Sequence, residues 1–170
     1  FKIIEIIIIL AIPTSIVLFK LFKKEFEILH KFPLFTFLFI FLGAFIGLVF
    51  TIIIINFIDQ IILLIYGTNY LDANKYALDL SYLPIIIIPN IIMFQAILAN
   101  NNELIYSKVL LIACLAHILI STMFNNNNSI IYNLNGIYLN QIITLLGSLI
   151  IILKNYIPLK KIIFHKDHLF

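Results

Sequence analysis

The stretch LFTFLFIFLGAFIGLVFTIIIINFI, residues 34–58, runs without a single charged side chain. A hydrocarbon slab about 30 Å thick is crossed by about 20 apolar residues in a helix, so this run is long enough to traverse a bilayer. Inside lipid every backbone N–H and C=O must be satisfied internally, which leaves only helices and closed barrels. The run does not alternate between polar and apolar residues as barrel strands do. Its continuous isoleucines therefore read as helix, against the strand preference that Ile shows in water.

Four more runs of similar character flank this one, at 3–19, 76–99, 104–124 and 136–153. The whole chain is 63% hydrophobic and 11% charged, with a mean hydropathy of +1.13, too few charges to cover a water-soluble surface. The expectation is an all-α integral membrane helical bundle with five transmembrane helices. Phe1 stands where an initiator Met would, and the chain reads as a piece of a longer protein. Residues 1–20 lack both a basic leader beyond Lys2 and a small-residue cleavage site, so they do not read as a signal peptide. The lone Cys114 cannot close an internal disulfide and has no metal-ligand spacing around it.

Orientation follows from lysine placement. The net charge of +3 is carried by Lys alone, and short loops rich in Lys are retained on the cytoplasmic side. The first connection holds Lys20, Lys23, Lys24 and Lys31, the third is followed by Lys108, and the tail holds Lys154, Lys160, Lys161 and Lys166. The second connection has Lys75 against Asp59, Asp72 and Asp79, and the fourth, Asn125 to Asn135, has no charge. The N-terminus is expected outside and the C-terminus cytoplasmic, in an inner (plasma) membrane. This charge is membrane-flank charge and not a nucleic-acid footprint. Segment 20–32 places Phe22, Phe26 and Leu29 opposite its charges, the pattern of an amphipathic helix lying among headgroups; tail 154–170 reads as another surface-lying end. Tyr66, Tyr70, Tyr76 and Tyr82 bracket the outer boundary as an aromatic belt.

Small and polar residues recur in rows on these helices. Gly136, Asn140, Thr144 and Ser148 follow at steps of four, Cys114, His117 and Ser121 share a face, and Gly43 and Gly47 form a small-xxx-small packing motif. Such rows predict contact with other helices. Pro13, Pro84 and Pro89 lie within apolar runs; each removes a backbone hydrogen bond and marks a candidate hinge. The candidate substrate or cavity residues are Gln95, Asn90, His117, Asn140 and Thr144. His117 is the titratable group closest to mid-span, where ionisable residues are costly and often functional, though a structural hydrogen bond across the bundle is the other reading. Gln95 and Asn90 read equally as cavity residues or as links between helices. The chain has no HExxH, no phosphate-cradling Gly-rich loop and no Ser/His/Asp arrangement. Transport or scaffolding is therefore expected over catalysis, with no cofactor and no metal.

The stretch IILLIYGTNYLDANKYALDLSYLPIIIIPNIIMFQAILANNNELIYSK, residues 61–108, carries Tyr66, Gly67, Tyr70 and Ala73, then Gln95, Leu98, Ala99, Asn101 and Asn102. In this order it resembles the Wzx-type polysaccharide and O-antigen flippases of the multidrug/oligosaccharidyl-lipid/polysaccharide exporter superfamily. The similarity extends from about residue 10, through the basic connection to Pro33, to about residue 155, with Tyr138 and Leu139 standing where the family has a second Gly followed by Ala. The resemblance implies the last five helices of a twelve-helix transporter that works by alternating access. It implies a lipid-linked oligosaccharide as substrate, with membrane lipids and a missing N-terminal lobe of the same protein as partners. The other readings are a membrane subunit of a respiratory or other redox complex, and a drug or lipid exporter of the same superfamily.

Overall fold

The computed structural model describes residues 2–28, 32–123 and 129–166, with side chains described for most of 13–26, 34–122 and 134–154. Its elements are α1 (Lys2–Ile28), α2 (Phe32–Tyr66), a 3-10 helix (Thr68–Ala73), α3 (Asn74–Leu80), α4 (Pro84–Ala99), α5 (Glu103–Met123) and α6 (Ser129–Lys166). Among the described residues there is no strand. Three segments are long and apolar enough to cross a membrane: Leu34–Tyr66, Glu103–Thr122 and Leu134–Lys154. The pair α3 and α4 passes the same test as one span bent by 41°. The protein is thus all-α, with helices suited to a bilayer. The run expected at 3–19 lies on the backbone of α1, but most of its side chains fall outside the described residues.

Chain punctuation explains where these helices stop. Gly67 ends α2 with φ of +83°, and its N–H donates to the Leu63 carbonyl at 3.0 Å, the left-handed cap that glycine adopts without a Cβ penalty. Asn101, at φ of +55°, plays the same part after α4. The Asn102 N–H donates to the Ile97 carbonyl and the Asn101 N–H to that of Leu98, which together make a Schellman turn. This three-residue turn reverses the chain into α5.

Neighbouring helices run in opposite directions. Thr51, Gly47 and Gly43 of α2 meet Ser81, Pro84 and Ile92 in that order, so α2 and α4 are antiparallel. In the same way Gly136 lies by His117 and Gly147 by Val109, making α5 and α6 antiparallel. Asn90 bonds Gln141 while Ile97 clusters with Ile151 and Ile152, so α4 and α6 run together. The bundle has α4 at its centre, with α1 and α2 on one side, α6 on the other, and α5 packed outside α6. Lys20, Lys23, Lys24, Lys108 and Lys154, all exposed, gather towards one end. Tyr66, Tyr70, Tyr76 and Tyr82, with Asp59 and Asp79, gather at the opposite end.

Several boundaries differ from the sequence expectation. The amphipathic segment placed at 20–32 continues α1 through Ile28, and residues 29–31 lie outside the described residues. Phe22 is fully buried, with ring centroids 5.8 Å from Phe35 and 5.8 Å from Phe39 of α2, and Phe26 packs on the same cluster. A site enclosed by other aromatic rings removes more of Phe22 from water than a headgroup interface would. Segment 34–58 extends to Tyr66, yet Phe57 leaves helical geometry with φ of −118° and ψ of 17°. Beyond that irregular residue, Ile58 and Ile62 pack against Ala77 and Leu78 of α3, forming a small layer over the tyrosine end. The single helix expected at 76–99 is divided at residues 81–83. The backbone of α6 runs on from Ser129 to Lys166, absorbing part of the loop expected up to Asn135 and most of the expected tail, whose side chains beyond Lys154 lie outside the described residues.

Candidate functional site

Pro84 stands in the first turn of α4, where a missing backbone donor costs nothing because that N–H would have no intrahelical partner. The divided helix is a consequence: α3 ends at Leu80, three residues turn, and Pro84 starts α4 at a new angle. A break of this kind frees carbonyls inside an apolar bundle. Thr51 of α2 supplies one partner, its Oγ1 donating to the Ser81 carbonyl at 2.9 Å in a buried position. The Ser81 hydroxyl donates to the Leu78 carbonyl at 2.7 Å.

Two glycines of α2 bring the helix against this break. A Cβ on Gly47 would lie 2.5 Å from the Pro84 carbonyl oxygen and 2.8 Å from the Cα of Ile85. Both contacts are backbone, so nothing nearby can rotate away. A Cβ on Gly43 would come within 2.3 Å of Ile92 Cδ1, a side-chain end that can shift. Pro89 lies further along α4, buried, and Pro13 lies exposed within α1. Of the three prolines, Pro84 is the one at a change of direction.

The opposite face of α4 meets α6. Asn90 Nδ2 donates to the Gln141 carbonyl at 3.0 Å and to Gln141 Oε1 at 2.9 Å, while Asn90 Oδ1 is buried without a protein partner. One turn on, Thr144 is buried and donates to the Asn140 carbonyl of its own helix at 2.8 Å. Ser148 is fully buried and its Oγ has no protein partner. A layer of Met93, Ile97, Tyr106, Ile151 and Ile152 closes the seam towards the lysine end.

The five candidate residues from the sequence do not share one cavity. At 100° per residue, Gln95 lies about 140° around α4 from Asn90; it is buried, but on the side of Ile88 and Ile91 and away from α6. His117 is half-buried on α5 and lies beside Gly136, where a Cβ would be 3.1 Å from its Cδ2 and 3.2 Å from Ser121 Oγ. Cys114, grouped with His117 in the sequence, is exposed. The row Gly136, Asn140, Thr144, Ser148 advances about 40° at each step of four, so it winds from the α5 seam to the α4 seam. Gln141 carries the cross-helix bond and was not among the expected residues. Its signal was the 3–4 spacing of Leu134, Gln141, Leu145, Ser148 and Ile152, which tracks one straight face.

Elsewhere, an apolar groove of about 300 Å³ opens between α1, α2 and α4, lined by residues including Thr14, Leu18, Phe39, Gly43, Phe50 and Ile92. Among the described residues, no group of three His, Cys, Asp or Glu side chains could hold a metal. Comparison with known proteins returns no matching family model, no matching characterised protein and no matching solved structure.

Proposed function

We propose that this chain forms the C-terminal lobe of a carrier that moves lipid-linked polysaccharide repeat units across a plasma membrane by alternating access. In this reading five helices span the bilayer, α1, α2, the α3–α4 pair, α5 and α6, with the lysine end and the C-terminus cytoplasmic. The observation that carries the reading is the divided α3–α4 segment at the centre of the bundle. Carriers of this type use interrupted helices at their working centre, because an interruption confines movement to a few residues and exposes backbone groups to a cavity. Pro84 is the hinge, Gly47 lets α2 follow it closely, and the Asn90–Gln141 pair holds α4 to α6 in the conformation described.

The similarity of residues 61–108 to Wzx-type flippases supports polysaccharide over other cargo. Among the described residues, five of the six exposed lysines lie at one end, Lys75 on α3 being the exception beside Asp59 and Asp79; this bias supports the orientation, since the lysine-rich end would be retained inside. The cationic groups that a diphosphate needs would come from the N-terminal lobe. The test is complementation: the full-length gene is expressed in a bacterium lacking its own polysaccharide flippase, and surface polysaccharide is measured. The expected result is restored display, reduced at least tenfold by a double proline replacement, Pro84→Ala with Pro89→Ala. No display from a stably inserted protein would end the reading. The apolar groove between α1, α2 and α4 favours a second reading, export of hydrophobic drugs or lipids. Dye efflux without polysaccharide display would favour it.

A further inference from the structure

At the tyrosine end, between the end of α3 and the first described turns of α6, lies a cavity of about 390 Å³ lined by Asp79, Tyr82, Leu134, Asn135 and Tyr138. Small-molecule sites run from about 300 to 1,000 Å³ and combine apolar faces with a few polar groups, and this cavity has both. Tyr82 is 54% exposed, an aromatic ring left open at the rim, and the Asp79 and Asn135 side chains are exposed beside it. The Tyr138 hydroxyl donates to the Asp79 backbone carbonyl, which ties α6 to α3 and fixes the two walls together.

We propose, building on the flippase reading above, that this cavity is a saccharide subsite that receives a neutral sugar unit of the cargo at the outer mouth. A pyranose presents an apolar face of C–H bonds and a rim of hydroxyls. Tyr82 and Tyr138 offer rings for the face, the Asp79 carboxylate accepts from hydroxyls, and the Asn135 amide both donates and accepts. Tyrosines of a lipid-facing belt would be spread around the bundle; these two line one cavity with a carboxylate and an amide. Charge sets the selectivity. The lining contains Asp79 and no cationic side chain, so a uronic acid placed here would meet a like charge, whereas a neutral sugar would not.

The experiment uses the full-length carrier in lipid nanodiscs, with a neutral tetrasaccharide and a matched uronic-acid tetrasaccharide as free probes in saturation-transfer NMR titrations. The neutral probe is expected to bind and the acidic one to bind at least tenfold more weakly. Tyr82→Ala weakens neutral binding by about tenfold, the size of one lost contact, and Asp79→Asn narrows the neutral-to-acidic ratio while leaving the fold intact. Equal binding of both probes, no binding of the neutral probe, or wild-type binding by Tyr82→Ala and Asp79→Asn together would overturn the subsite. Those failures with polysaccharide display intact leave the flippase reading standing; selective neutral binding without display supports the subsite and removes that reading.

Discussion

Helices α4 and α5 are consecutive, joined by a turn of three asparagines, and both are strongly apolar, yet they occupy opposite situations. α4 is buried on three sides by α1, α2 and α6, whereas α5 packs mainly on α6 and exposes Leu104, Leu111, Ile112 and Leu119. Their polar groups differ accordingly. On α5 the Ser107 hydroxyl donates to the Leu104 carbonyl at 2.9 Å and Thr122 to the Ile118 carbonyl at 2.8 Å, both within their own helix. On α4 the Asn90 amide reaches across to Gln141, and the break before α4 is bonded by Thr51 from α2. In lipid, hydrophobicity does not sort inside from outside, because hydrocarbon tails are as apolar as leucine. What marks the inside is a polar or small residue whose partner belongs to another helix.

The comparison can be broken by substitution, with stability read from denaturation of the detergent-solubilised protein. The largest effect is expected at Gly47. A methyl there meets backbone at 2.5 Å, and overpacking of this kind costs about 1–3 kcal/mol, so Gly47→Ala should sit at the top of that range and Gly47→Leu should prevent folding. Gly43→Ala, facing a movable Ile92 side chain, should cost less. If Gly47→Ala unfolds at the wild-type denaturant concentration, α2 does not lie against the break as described.

Asn90→Leu should come next. Cross-helix polar pairs in membranes contribute about 0.6 to 1.7 kcal/mol; Gln141→Leu should lose less than Asn90→Leu, because the backbone carbonyl at 141 still accepts from Asn90, and the double variant should lose no more than Asn90→Leu alone. Additive losses would show that the two amides act separately. Thr51→Val removes a single buried bond to Ser81 and should cost about 0.6 kcal/mol. The smallest effects belong to α5: Ser107→Ala and Thr122→Val should change stability by less than about 0.5 kcal/mol, since each hydroxyl is exposed and bonds only its own helix.

How far the sequence carried the reading depended on the range of the signal. The break between the runs 76–99 and 104–124 was legible, and its three asparagines form the turn from α4 into α5, whereas α2 runs on past residue 58 to the Gly67 cap. The Gly43/Gly47 spacing was legible as a packing face, and it lies against α4. Phe22 was misjudged because its neighbours in the chain are lysines, which argue for an interface; the rings that enclose it, Phe35 and Phe39, belong to the next helix. The division at residues 81–83 was anticipated as a proline effect but placed within one continuous helix, since Pro84 fits a helix start as well as a kink. Gln141 was overlooked because a row counted in steps of four drifts around a helix, and Asn140, its neighbour, fell on that row instead.

The central claim is that the chain crosses a bilayer repeatedly and that its lysine end and its tyrosine end face opposite compartments. Thiol accessibility tests it directly, with Tyr70→Cys and Lys23→Cys introduced separately into a Cys114→Ser background and a membrane-impermeant maleimide added to intact cells. Tyr70→Cys should react from outside, and Lys23→Cys should react only after the membrane is opened. Labelling of both positions from the same side would contradict the account.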